Sequence, residues 1–323
     1  MLFSLDIGTS FTRIAQAGKG VVLSEPSLMA DCGNLPVAVA VGQQVAPMLG
    51  KMPSTVQLFH PLRNGHLAAP DATAVLLRNL FKRLGLRSWS RPRLRLVVPS
   101  QVTAVERARL VQSVKDAGAL QVSLVPGPVA CAYASGVEVS RSKSAAIVDI
   151  SSSITEMSIV SKEIVFRRSV PLGGADFDVA LRDALNQRAG VEVSMQMAED
   201  AKKQVGCVGA FDDPEGFQVI GRERACGLPR RCTVARALAY ECFAPPLLRL
   251  EEMIRGVLDQ LPPLVSKDIQ AGGMVLTGGG SLLMGLAEHL ERVLEVQVKR
   301  VPDPLHCAVL GALEVPAELC EEA

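Results

Sequence analysis

Asp6 is followed by Ile7 and then by Gly8, Thr9 and Ser10; Asp149 is followed by Ile150 and then by Ser151, Ser152 and Ser153. An acid at the end of an apolar run, beside a turn of small residues, has the layout of a strand and turn that binds phosphate. A third cluster, Thr277-Gly278-Gly279-Gly280-Ser281, follows the apolar run Met274 to Leu276. Consecutive glycines let a backbone approach a ligand closely, and a following helix offers unpaired N–H groups. Ser281 reads as the cap of that helix, with Leu282, Leu283, Leu286 and Leu290 along one face. Plainer readings stay open: Asp6 and Asp149 as hairpin-end acids in Asx-turns, and the glycines as a tight strand-to-helix turn.

The elements that position these residues repeat. "LDIGTSFTRI" (Leu5 to Ile14) and "VDISSSITEM" (Val148 to Met157) align from their aspartates at a spacing of 143 residues. Each shows Asp-Ile, a small pair, Ser, an apolar residue and Thr, between two strand-like runs. Two such hairpins suggest a duplicated α/β unit. "DATAVLLRNLFKRLG" reads as a helix capped by Asp71, with Leu76, Leu77, Leu80, Phe81 and Leu84 on one face and Gly85 at its stop. Leu94 to Val98 is a buried strand, Val102 to Ala117 a helix ended by Gly118, and "SLVPGP" a strand running into a turn. Alternation of this kind predicts α/β architecture with mainly parallel central sheets. Gly206 to Arg231 reads as a loop-rich insertion, and Pro245–Pro246 and Pro262–Pro263 as breaks in later helical material.

Bulk properties narrow the function classes. The 323 residues suffice for two domains with separate cores. A hydrophobic fraction of 48% and a mean hydropathy of +0.26 mark a globular chain. A net charge of +1 gives no global drive toward nucleic acid, so no nucleic-acid partner is expected. Eight cysteines without CxxC spacing, and only four histidines, fit reduced thiols better than a disulfide framework or a zinc site. The start, "MLFSLDIGTS", carries no basic segment before an apolar core, so no signal peptide is expected, and no uncharged run is long enough to span a bilayer.

These motifs, in this order, resemble the actin-like ATPases and, within them, the bacterial MreB proteins, over nearly the whole chain. "SLDIGTSFTRI" resembles the family's first phosphate loop, and "VDISSSITEMSIVS" its second. "SVPLGGADFDVAL" resembles the segment that follows, and "AEDAKKQVG" the adenosine-side helix. "VLTGGGSLLMGL" resembles the adenine and phosphate corner. The resemblance implies an actin-like fold: two related domains, comprising four subdomains, around a nucleotide cleft. Domain I would span 1–143 with subdomain IB at about 33–66, and domain II 144–302 with subdomain IIB at about 179–254; 303–323 would return to domain I. It also implies ATP contacts from Asp6, Gly8, Thr9, Ser10, Ser151, Ser152, Ser153, Glu199, Lys202, Gly278, Gly279, Gly280 and Ser281. Asp6 and Asp149 would hold Mg²⁺ through water. MreB proteins polymerise head-to-tail on the inner face of the cytoplasmic membrane, where they organise wall synthesis and set cell shape. The implied partners are therefore the chain itself, that membrane and wall-synthesis proteins.

Three departures bear on this. The family's second loop is glycine-rich, whereas this one carries three serines; wherever φ > 0 is required, each would cost about 1–2 kcal/mol. Where MreB proteins usually carry a Glu-Glu-Pro turn, this chain reads Val125-Pro126-Gly127-Pro128. Loss of a water-orienting carboxylate costs about 10²–10⁴-fold in rate, leaving Asp149 and Glu156 as candidate catalytic groups and slow hydrolysis as the expectation. The chain starts almost directly on its first strand, so the family's N-terminal amphipathic helix is not expected. The loop Arg83 to Arg95, with Leu86, Arg87, Trp89 and Arg91, reads as its substitute at anionic lipid, or as a loop packing on its own domain. Phe211 and Phe217 read equally as filament contacts or as local cover. A monomeric ATP-driven clamp, a sugar kinase and a pseudo-ATPase scaffold are the competing functions.

Overall fold

The computed structural model describes residues 1–31, 40–48, 56–63, 66–86, 92–140, 143–161, 163–209 and 216–322. The chain divides into two compact units: 1–142 with 160–165 and 305–323, and 143–159 with 166–304.

The first unit opens with β1 (Leu2–Ile7), β2 (Phe11–Gln16) and β3 (Gly20–Pro26). Short strands follow: β4 (Met29–Asp31), β5 (Ala40–Val41), β6 (Gln57–Phe59), β7 (Leu62–Arg63) and β8 (His66–Leu67). Then come α1 (Pro70–Arg83), β9 (Arg93–Val98), α2 (Ala104–Asp116), β10 (Gln121–Pro126) and α3 (Gly127–Ala134). The second unit holds β11 (Ala145–Ile150), most of β12 (Thr155–Val160) and of β13 (Ile164–Val170), α4 (Gly174–Ala184), β14 (Val191–Glu192) and α5 (Met195–Val205). It continues through β15 (Gly216–Glu223), β16 (Pro229–Ala235), α6 (Arg236–Leu258), α7 (Pro263–Gly272), β17 (Met274–Thr277), α8 (Leu286–Leu294) and β18 (Val298–Arg300). Finally α9 (Cys307–Glu314) and β19 (Glu321–Glu322) belong to the first unit.

The two main sheets share one plan. The first has the order β3-β2-β1-β9-β10-β19 and the second β13-β12-β11-β17-β18. In each, a meander of three strands is extended by strands parallel to the first: β9 and β10 in one sheet, β17 and β18 in the other. Alternation on β1 explains the layering. Phe3, Leu5 and Ile7 face the core beneath α1 and α2. Ser4, on the other face, donates its hydroxyl to the Val309 carbonyl of α9 at 2.5 Å. The second core joins Val148, Ile150, Met157 and Ile159 to Phe177, Phe243 and Leu290. Burying each such side chain stabilises by about 1.5–3 kcal/mol.

Several local expectations are corrected. Asp71 lies in the first turn of α1, not at its cap; Pro70, with φ already suited to a helix, opens it. Helix α2 begins two residues later than read, where Thr103 and Glu106 form a capping box. Most of the supposed loop-rich insertion is the β15–β16 hairpin, whose buried Val219 and Val234 supply the cover that its charged face hides in the sequence. Helix α6 runs through Pro245 and Pro246 because Phe243, Pro246, Leu247 and Leu250 are buried, offsetting the two lost backbone bonds. Pro262 and Pro263 begin α7 instead of breaking a helix. No helix among the described residues is long and apolar enough to cross a membrane.

Candidate functional site

In the first unit, the β1–β2 hairpin turns through Thr9 and Ser10 and is closed by the Gly8 amide donating to the Phe11 carbonyl at 2.9 Å. The Ser27 amide donates to Ser10 O at 2.8 Å, and the Thr12 and Ser27 hydroxyls lie 2.8 Å apart, so the turn is braced by the residue that follows β3. This register sets Asp6 directly opposite Arg13, whose guanidinium stands 3.7 Å from the carboxylate. Burial pushes the Asp6 carboxyl above its ordinary range, against the opposing pull of Arg13 and of His306 beside α9.

The second hairpin repeats the first. The Ser151 amide donates to the Ile154 carbonyl at 2.9 Å, the same bond at the same positions of the repeat. None of Ser151, Ser152 and Ser153 has a positive φ. The expected strain is therefore absent, because this loop follows a path that any L-residue can take. The N-terminus of α4 leans on it: Gly174 N–H donates to Ser151 O at 2.9 Å and Ala175 N–H to Ser152 O at 2.7 Å. A Cβ on Gly173 would stand 2.6 Å from both of those carbonyl oxygens, so only glycine fits there.

Asp149 reaches the glycine corner. Gly278 has φ +80, and a Cβ on it would lie 2.2 Å from the Asp149 carboxylate. Its N–H donates to Pro304 O at 3.1 Å. Ser281 does not cap a helix. Its hydroxyl donates to Gly278 O at 2.6 Å within a 3₁₀ turn over Gly279–Leu282, and α8 starts only after Gly285. Glu156, at the start of β12, accepts from the Ser158 hydroxyl at 3.1 Å.

On α5 the two expected contact residues are engaged with protein partners. Glu199 pairs with Lys203 at 2.7 Å. Lys202 lies 2.8 Å from Asp178 and donates to the Gly174 carbonyl at 2.9 Å, which ties α5 to the start of α4. Among the described residues no group of three or more His, Cys, Asp or Glu is arranged for a metal ion. Asp6 in particular does not suit a dication, because a guanidinium already faces it.

Of the loop read as a membrane contact, Arg87, Trp89 and Arg91 lie outside the described residues, as does Phe211. Leu86 packs at the edge of the first core. Two flanking arginines have protein partners. Arg83 pairs with Glu25 at 3.2 Å, and Arg95 donates to the carbonyls of Ala312, Leu313 and Val315 at 2.9, 3.0 and 2.7 Å. Phe217 packs against the second core, as local cover.

Arg13, His306, Asp178 and Gly173 were missed by sequence reasoning. For Arg13 a signal existed: a turn centred on Thr9–Ser10 forces position 13 opposite position 6.

The family model for MreB/Mbl protein matches residues 1–322. The cell shape-determining protein MreB of Escherichia coli (strain K12) is 34% identical over 315 residues, covering 95% of this chain and 91% of the relative. The cell shape-determining protein Mbl of Bacillus subtilis (strain 168) is 29% identical over 309 residues, covering 95% and 93%. The crystal structure of MreB5 of Spiroplasma citri bound to AMPPNP superposes with a TM-score of 0.91 at 27% identity, over 97% of this chain and 95% of that one. A MamK double helical filament shares the fold, with a TM-score of 0.78 at 20% identity over 98% and 99% of the two chains. With two hairpins built alike, two sheets of one plan and a match along essentially its whole length, the chain belongs to the MreB/Mbl family.

Proposed function

We propose that this protein is a cell-shape filament protein that binds ATP and assembles head-to-tail on the inner face of the cytoplasmic membrane, where it organises wall synthesis. The observation that carries the nucleotide reading is the pair of hairpins closed by the same bond, Gly8 to Phe11 and Ser151 to Ile154, each with an acid at its base. Relatives named for cell shape and a structural neighbour solved with AMPPNP support it. The monomeric clamp finds no support among these relatives.

ATP would engage the turns at Gly8–Ser10 and Ser151–Ser153 and the glycine corner. Asp149 would hold Mg²⁺ through water, while Arg13 beside Asp6 lessens the need for a cation there. Hydrolysis is slow. The serine loop is unstrained, so the reason lies at Pro126-Gly127-Pro128, where α3 starts without a carboxylate to orient water. That feature favours a scaffold with little turnover as the second reading of mechanism.

Sedimentation of the full chain with anionic liposomes, with and without ATP–Mg²⁺ and alongside phosphate release, tests both. Assembly on lipid with little phosphate release supports the proposal. Assembly with rapid turnover refutes slow hydrolysis, and a monomer under every condition refutes the filament.

A further inference from the structure

The spacing of 143 that superposes the hairpins maps Arg13 onto Glu156. The turn-closing bonds coincide under it, so one hairpin base carries an acid and a base where the other carries two acids. In the first, Asp6 and Arg13 are direct cross-strand partners whose side chains are 23% and 15% exposed. The guanidinium also sits 5.4 Å from the centre of the Phe11 ring. Its Nε is buried and has no hydrogen-bond partner in the protein. At 3.7 Å, the approach to Asp6 is an ion pair too long for a hydrogen bond, which leaves strong donor capacity two residues beyond the turn.

A polyphosphate brought to Asp6 alone would meet a like charge, which is ordinarily screened by a divalent cation. Here the screening charge is part of the chain. We propose that Arg13 is a built-in counter-cation of the first phosphate loop: it neutralises Asp6 and presents a guanidinium to the nucleotide's phosphates, so that ATP binding depends only weakly on Mg²⁺. Guanidinium suits the role because its planar fork bonds phosphate oxygens in pairs and its charge cannot titrate away. The inference rests on the ATP-binding reading above.

The test is calorimetric titration of the full chain with ATP, in excess Mg²⁺ and in excess EDTA. Wild type is expected to lose less than about tenfold in affinity when Mg²⁺ is removed. Arg13→Leu should lose about tenfold to a hundredfold in EDTA and less in Mg²⁺, the scale of a charge-assisted hydrogen bond. Asp6→Asn, near-isosteric, should bind ATP in EDTA at least as tightly as wild type, because it frees Arg13; if Asp6 were instead a metal ligand, this variant would weaken binding in Mg²⁺. Wild-type binding that falls more than about tenfold in EDTA overturns the proposal while the ATP reading stands. Absence of ATP binding in both buffers overturns the reading and the proposal together. Wild type and Asp6→Asn decide the matter even if Arg13→Leu does not fold.

Discussion

Lys202 of α5 reaches across to Asp178 of α4, 2.8 Å away, with both side chains largely buried. Burial pushes the Asp178 carboxyl up and Lys202 pulls it down, the burial being the larger influence. Removing one partner strands the other's charge. Lys202→Met is expected to cost about 3 kcal/mol in urea unfolding without nucleotide. Pairing it with Asp178→Asn should recover part of that loss. A variant with unchanged stability would return Lys202 to a ligand-contact role alone.

Gly278 combines φ +80 with a Cβ position 2.2 Å from the Asp149 carboxylate. Gly278→Ala is expected to lose about 2–4 kcal/mol, the backbone penalty plus the overpacking. Thermal unfolding reads this directly, and a shift within error would show that the corner relaxes.

The serine loop yields a prediction opposite to the one its composition suggests. Because Ser151, Ser152 and Ser153 all have negative φ, restoring glycine relieves nothing. Each Ser→Gly change should cost about 0.4–1 kcal/mol through added unfolded-state entropy. ATP affinity should not rise, as a titration of the triple variant would establish.

Pro245 is exposed within α6, while Pro246 is buried. Pro245→Ala supplies the missing N–H for the carbonyl of Glu241 and is expected to stabilise by about 1–3 kcal/mol. Pro246→Ala gives up packing and should gain less. Chemical denaturation of the two variants side by side separates the effects.

Asp6 sets a pH dependence. Its folded-state pKa is raised above the ordinary 3.8, chiefly by burial, with Arg13 and His306 opposing. In the window between the two values the folded chain holds a proton that the unfolded chain has released. The stabilising contribution is therefore complete below the ordinary value and is lost as pH rises through the raised one. The stability of wild type relative to Asp6→Asn should accordingly improve as pH falls from neutral into the carboxylate range, as paired melts would record.

The two hairpins were legible because their signals are local: alternation, small turn residues and a terminal acid all fall within ten residues. The strands β9 and β17 were legible as short apolar runs for the same reason. What stayed hidden depends on distant partners. Helix α6 overrides two prolines because its other face is buried. Ser281, read as a cap, bends back to Gly278 because the following turn is 3₁₀. The β15–β16 hairpin shows its apolar side only to the fold. Lys202 matched a family position, yet its partner Asp178 lies on another helix, and nothing in the local sequence pairs them.

Residues 305–323 have a consequence for how the protein is made. Helix α9 lies against β1, where Ser4 bonds it, and Arg95 of β9 gathers its last carbonyls. During translation β1 emerges early but lacks this covering until about 300 residues have followed it out of the ribosome. The second unit, nearly continuous in sequence, is complete before then. The unit synthesised first is therefore the one finished last, and its exposed face must be kept from wrong partners in the interval.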